Sequence, residues 1–184
     1  MGRHKDASRG RKLRPAQATP AAPEAFVGAA FYHSLSPKRR GEISELVFVL
    51  AAIRRGFSVS KPFGDSNRYD LILDAGETDP PQLCARPRLI RVQVKSTAKI
   101  VDGFYYLKAS RQVDGQAVPY NLREIDFIVA YVIPEDSWFI FPLPHILGIG
   151  SLLLSPKARP RPAHYDGYRE AWHYLRDPDG IEFA

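Results

Sequence analysis

Tyr69-Asp70-Leu71-Ile72-Leu73 and, after an insertion, Leu89-Ile90-Arg91-Val92-Gln93-Val94-Lys95-Ser96 frame this chain. Both segments have the apolar, β-branched character of strands. The residues between, Ala75–Pro87, include Pro80-Pro81 and Pro87, which suit an exposed loop joining two antiparallel strands. Strand side chains alternate between faces. Ile90, Val92 and Val94 therefore share one face, expected to be buried, and Arg91, Gln93 and Lys95 share the other. That second face sets an amide oxygen and an ammonium two residues apart, with Asp70 beside them if the strands pair. A carboxylate, a second oxygen ligand and a lysine at one point can hold Mg²⁺ against a phosphate.

Upstream, Ser36-Pro37 is a helix start, with Ser36 as N-cap and Pro37 at the first helical position. Ile43, Leu46, Val47, Leu50 and Ile53 recur at helical spacing. Leu46–Ile53 is apolar nearly all round, which predicts a well-buried helix. Arg54-Arg55 suits its C-terminal end, and Gly56 can end it in a left-handed turn. Glu42 and Glu45 sit on one side of this helix, where carboxylates are costly unless paired or bound to a cation.

Downstream, Asp102-Gly103 is a turn signal and Phe104–Ala109 a strand. Val113–Pro119 reads as loop and Asn121–Glu124 as a short turn. Phe127–Ile133 and Trp138–Phe141 are strands about a turn at Pro134–Ser137, and Ser151–Leu154 is one more short strand. Tyr165–Arg176 is expected to close the fold as a helix. The expected class is α/β, a central mixed β-sheet of about five strands flanked by helices.

These motifs in order, Gly41-Glu42-Ile43-Ser44-Glu45, Gly56-Phe57, Tyr69-Asp70-Leu71 and Val92-Gln93-Val94-Lys95, resemble the PD-(D/E)xK nuclease superfamily over about residues 38–176. They look like the archaeal Holliday-junction resolvases, and closer still like the subgroup containing a group I intron-encoded homing endonuclease. That subgroup also carries glutamine for the motif acid. The resemblance implies a restriction endonuclease-like fold and in-line hydrolysis of phosphodiester bonds. It implies Asp70 as the main metal carboxylate, Gln93 offering its side-chain oxygen and Val94 its backbone carbonyl. Lys95 would orient or help deprotonate the attacking water, or stabilise transition-state charge. Glu45 matches the helix glutamate, ahead of Glu42. The implied cofactor is Mg²⁺, with Mn²⁺ as a substitute. Tyr69 stands where the family has proline. Gln93 removes a negative charge from the site, which favours, as the alternative, a nucleic-acid-binding module that cuts weakly or not at all.

Arg91, Lys99, Lys108 and Arg111 surround the motif in sequence and are candidate phosphate contacts, as are the hydroxyls of Ser96 and Thr97. Each equally suits a solvated surface or a strand end. Tyr105, Tyr106, Tyr120, Tyr165 and Trp172 are candidate base-stacking residues, with core packing the more frequent fate of such side chains. The five histidines lack metal-ligand spacing, and the single Cys84 excludes an internal disulfide or a Cys-rich zinc site.

Of 26 basic residues, six lie within residues 1–14 against one acid, so the net charge of +6 is mostly a property of the N-terminus. Residues 1–30, basic then Ala/Pro-rich, are expected to form a disordered arm attracted to phosphate-rich partners, and 31–184 the nuclease domain. The basic start lacks the apolar run of a secretory signal but shares its composition with organelle transit peptides. No apolar run is long enough to span a bilayer. The expected setting is cytoplasmic, and the expected partners are double-stranded DNA and a second copy of the chain, a homo-oligomer able to cut both strands. A protein that uses its Gln93 face to dock a partner chain is the remaining rival.

Overall fold

Ser36 caps the long helix as expected, its hydroxyl accepting from Arg39 N. Helix α2 spans Pro37–Arg54, and Gly56 turns the chain away with φ +83°. The computed structural model describes residues 29–64, 66–76, 88–157 and 163–176. The expected N-terminal arm and the loop between the two motif strands lie largely outside them. A short helix, α1 (Ala29–Ser34), precedes α2.

Five strands form the central sheet, in the order β1 (Ser58–Ser60), β2 (Leu71–Asp74), β3 (Leu89–Thr97), β8 (Phe127–Val132), β9 (Ser137–Pro142). β3 pairs with β8 in parallel, Val92 opposite Phe127; the other pairings are antiparallel. The sheet is therefore mixed, with the motif strand at its centre. β4 (Ile100–Val101), β5 (Phe104–Lys108) and β10 (Ser151–Leu154) build a second, three-stranded sheet. β6 (Ser110–Val113) and β7 (Gln116–Pro119) form a hairpin.

Both faces of the central sheet are covered, so every residue of β8 and β9 is buried. Under α2, Phe48 and Ala52 pack on Leu71, Leu73, Ile90, Val92, Val94, Val129 and Ile140. On the other face Ile128, Ala130, Val132, Phe139 and Phe141 meet Tyr105, Leu107, Leu152 and Leu154 of the second sheet.

Four expectations are corrected. The second half of α2 is not buried all round: Ser44, Phe48 and Ala52 face inward, while Leu46, Leu50 and Ile53 are exposed at 66%, 49% and 54%. Ser44 tolerates burial because its hydroxyl donates to Arg40 O at 2.8 Å. Residues 165–176 form two 3-10 turns, Asp166–Tyr168 and Trp172–Leu175, rather than a helix. Glu170 separates them with φ +51° and binds β9, its N–H donating to Trp138 O and its carboxylate accepting Trp138 N–H at 2.7 Å. Val113–Pro119 is hairpin rather than loop, because Asp114-Gly115 takes positive φ at both positions. The sheet is accordingly flanked by helix on one face and by the second sheet on the other. Among the described residues no helix is long and apolar enough to cross a membrane.

Candidate active site

Asp70 stands one residue before β2, where the β2–β3 ladder ends. Its backbone N–H still donates to Val92 O at 2.9 Å. Its carboxylate oxygen Oδ2 then accepts the Val94 N–H at 2.7 Å and the Gln93 side-chain amide. The carboxylate thus finishes a hydrogen-bond ladder the backbone has left, and the sheet fixes its direction. Gln93 is 8% exposed. Its Nε2 also lies 3.5 Å from Val94 O. The positive end of the amide therefore sits between two oxygens of different residues.

The carboxylate is held above its ordinary pKa, first by desolvation. Glu45 adds to the rise as a like charge, and the Val94 and Gln93 hydrogen bonds and the Lys95 charge oppose it. This partly buried anion is stabilised by dipoles and one nearby ammonium, and it retains an unfavourable balance.

A cleft of about 650 Å³ opens here, lined by Arg40, Glu45, Asp70, Gln93–Lys99 and Ile133. The Lys95 ammonium is 5.4 Å from the centroid of the Tyr120 ring, and the Lys99 ammonium is 5.0 Å from that of Tyr106. Ser96 lines the same cleft. Thr97 is occupied within the fold, donating to Tyr106 O at 2.7 Å and accepting Lys99 N–H. A second recess of about 420 Å³ continues past Asp70 and Glu45 toward Glu42 and Lys61.

Of the residues expected from sequence, Glu45, Asp70, Gln93, Val94, Lys95, Ser96 and Lys99 come together. Glu42 lines only the second recess and pairs with Arg39 at 3.3 Å. Arg91, Lys108 and Arg111 stand outside the cleft lining. Arg91 donates through Nε and Nη2 to Asp126, through Nη2 to the carbonyl of Leu122 and through Nη1 to that of Arg123, which ties β3 to the turn before β8. Arg111 is paired with Glu124 at 2.8 Å. Among the proposed stacking residues, Tyr105 and Tyr120 are buried, at 6% and 5% exposed. Tyr165 packs on Phe141, and Trp172 stacks on Phe48. Sequence reasoning missed Arg40 and Lys61. Arg40 lies two residues before Glu42 and five before Glu45, and Lys61 reaches the site through the placing of β1 beside β2 and α2.

A mixed sheet carrying an aspartate at one strand end and a Gln-x-Lys on its neighbour, with one long helix across it, is a restriction endonuclease-like fold. Residues 35–174 match the family described as PD-(D/E)XK endonuclease. The chain belongs to that family, whose members generally use divalent metal ions. It is also similar to a bacterial homing endonuclease, I-Ssp6803I, at 30% identity and a TM-score of 0.65, over 79% of this chain and 96% of the other. Comparison with curated proteins gave no match.

The residues present fit a divalent ion. The donor set is hard oxygen: the Asp70 carboxylate, the Val94 carbonyl, the Gln93 amide oxygen and the nearby Glu45 carboxylate. Among the described residues no group of three His, Cys, Asp or Glu is placed to hold a metal ion. The Gln93 N–H donors point at Asp70 and Val94 O. A half-turn of the terminal amide, a soft torsion, exchanges nitrogen for oxygen.

Proposed function

We propose that this protein is a metal-dependent endonuclease that hydrolyses phosphodiester bonds in double-stranded DNA. The observation that carries this reading is the meeting of Asp70, Gln93 and Lys95 at the mouth of one cleft, although Asp70 and Gln93 are 23 residues apart.

Asp70, Gln93 and Val94 would hold a divalent ion, Mg²⁺ or in its place Mn²⁺, with Glu45 closing the site from α2; when bound, it would supply polarisation of the phosphate and a water of lowered pKa. Lys95 keeps a positive charge beside the reacting phosphate, where it orients the water and stabilises the charge that develops on the phosphoryl oxygens. The Tyr120 ring beneath Lys95 restricts where that ammonium can stand. Ser96, Lys99 and Arg40 provide donors to flanking phosphates.

Cutting both strands of a duplex with one site per chain takes two copies. The exposed apolar row Leu46, Leu50 and Ile53 on α2 supports a homo-oligomer. The basic residues 1–14 add sequence-independent attraction to DNA.

A non-cleaving nucleic-acid-binding module is favoured by one observation, the Gln93 nitrogen facing Asp70. Nicking of supercoiled plasmid by purified protein with Mg²⁺, compared with Asp70→Ala and Lys95→Ala, separates the two readings. Cleavage lost in both variants supports the nuclease. Equal, absent cleavage with retained gel shift supports the module.

A further inference from the structure

β1 runs antiparallel to β2 with Ser60 opposite Ile72, so the chain leaves β1 at Lys61 close to where it enters β2 after Asp70. Lys61 Nζ donates to Glu45 Oε2 at 2.7 Å. The two recesses of the site share Glu45 and Asp70. One carries Arg40, Lys95 and Lys99, and the other Lys38 and Lys61 together with Glu42, which is paired with Arg39. The acid pair thus stands between two recesses that each present lysines. A polynucleotide has a phosphate at every residue, so a strand with its scissile group at Asp70 brings neighbouring phosphates into both.

We infer that Lys61 is a substrate-binding residue that takes a backbone phosphate on the side of Asp70 away from Lys95, with Glu45 holding its ammonium until substrate arrives. This rests on the phosphodiester reading above. The Lys61 side chain is 60% exposed and that of Glu45 21%. Water and salt screen such a pair, so its partner is readily exchanged. A phosphate draws an ammonium as a point charge and asks for no fixed angle, which suits a lysine on a flexible stem. Glu45, released, still lines the cleft with Asp70 and is free to contribute to a cation there.

The test is equilibrium binding of a short fluorescent duplex, in chelator so that nothing is cut, across a salt series. Wild type is compared with Lys61→Gln, Lys61→Arg and Lys157→Gln. Lys157 is tied to Glu135 far along the chain and serves as the charge control. Lys61→Gln is expected to lower the salt slope by about 0.9 and affinity at 0.1 M salt by about eightfold, the loss of one phosphate contact. Lys61→Arg restores both, and Lys157→Gln changes neither. With Mg²⁺, Lys61→Gln raises KM more than it lowers kcat. Thermal melts confirm that the variants fold. A Lys61→Gln protein with the wild-type slope and affinity overturns the contact, while intact wild-type cleavage leaves the nuclease reading standing. A wild type that neither binds nor cuts the duplex overturns both.

Discussion

Gln93 donates its side-chain amide to Asp70 Oδ2, the same oxygen that accepts the Val94 N–H at 2.7 Å. One carboxylate oxygen therefore receives two donors from the motif strand, and the amide fills the gap between Asp70 and Val94 O. An acid at position 93 could not donate in this way. It would add a second negative charge beside a carboxylate already pushed up by desolvation and by Glu45. Glutamine avoids that second charge, and on the proposed reading it is expected to lower affinity for a divalent ion.

Gln93→Glu restores that charge. Because ligand charge count sets affinity for hard cations, the Mg²⁺ concentration for half-maximal cleavage is expected to fall on the order of tenfold. The metal-free variant is expected to be less stable than wild type at neutral pH. Metal titrations of cleavage and thermal melts in chelator check the two halves.

Asp70→Asn removes a charge the fold disfavours. A carboxyl with a raised folded-state pKa contributes stability that is fully present below its unfolded value and lost as pH rises through the folded value. In chelator, Asp70→Asn is therefore expected to melt above wild type at neutral pH. The difference should narrow as pH falls through the raised pKa toward the ordinary carboxylate range. Cleavage is abolished at every pH. A lower Tm for the variant at neutral pH speaks against the electrostatic reading of the site.

Arg91 is expected to act in folding rather than in substrate binding. Arg91→Met removes the guanidinium donors to two turn carbonyls and to Asp126, which keeps only the backbone N–H of residue 91, at a cost of about 1–3 kcal/mol. Urea midpoints should shift accordingly, while duplex affinity of the folded variant stays at the wild-type value. A normal midpoint with a reduced salt slope reverses the assignment.

The exposed row on α2 gives a separate test of assembly. Leu46→Glu with Leu50→Glu changes side chains that are 66% and 49% exposed, so the fold is retained. Sedimentation is expected to show a dissociated protein, and double-strand breaks to decline relative to nicks. An unchanged sedimentation coefficient places the interface elsewhere.

The centre of the sheet was legible because strand alternation leaves little freedom: Ile90, Val92 and Val94 could only be the inner face. Helix α2 was legible in extent but not in orientation. Its second half is apolar all round, and only packing of Phe48 against Trp138 and Trp172 selects the inward face. At Tyr165–Arg176 a helical spacing of Tyr168, Trp172 and Leu175 misled, since Glu170 gains more by binding the edge of β9 than by continuing a helix. The Asp114-Gly115 hairpin had its turn signal in the sequence. The family motif brought Glu45, Asp70, Gln93 and Lys95 into one reading. Lys61 carried no signal, because its nearness to Glu45, 16 residues earlier in the chain, is made by the packing of β1 beside α2.

Conversion of supercoiled plasmid to nicked and linear forms, with Mg²⁺ against chelator, tests the central claim most directly. Wild type is expected to cut only with the metal, Asp70→Ala not at all, and Lys95→Ala about 10²–10⁴-fold more slowly at saturating duplex. Metal-independent cutting, or wild-type rates from Asp70→Ala, contradicts the assignment.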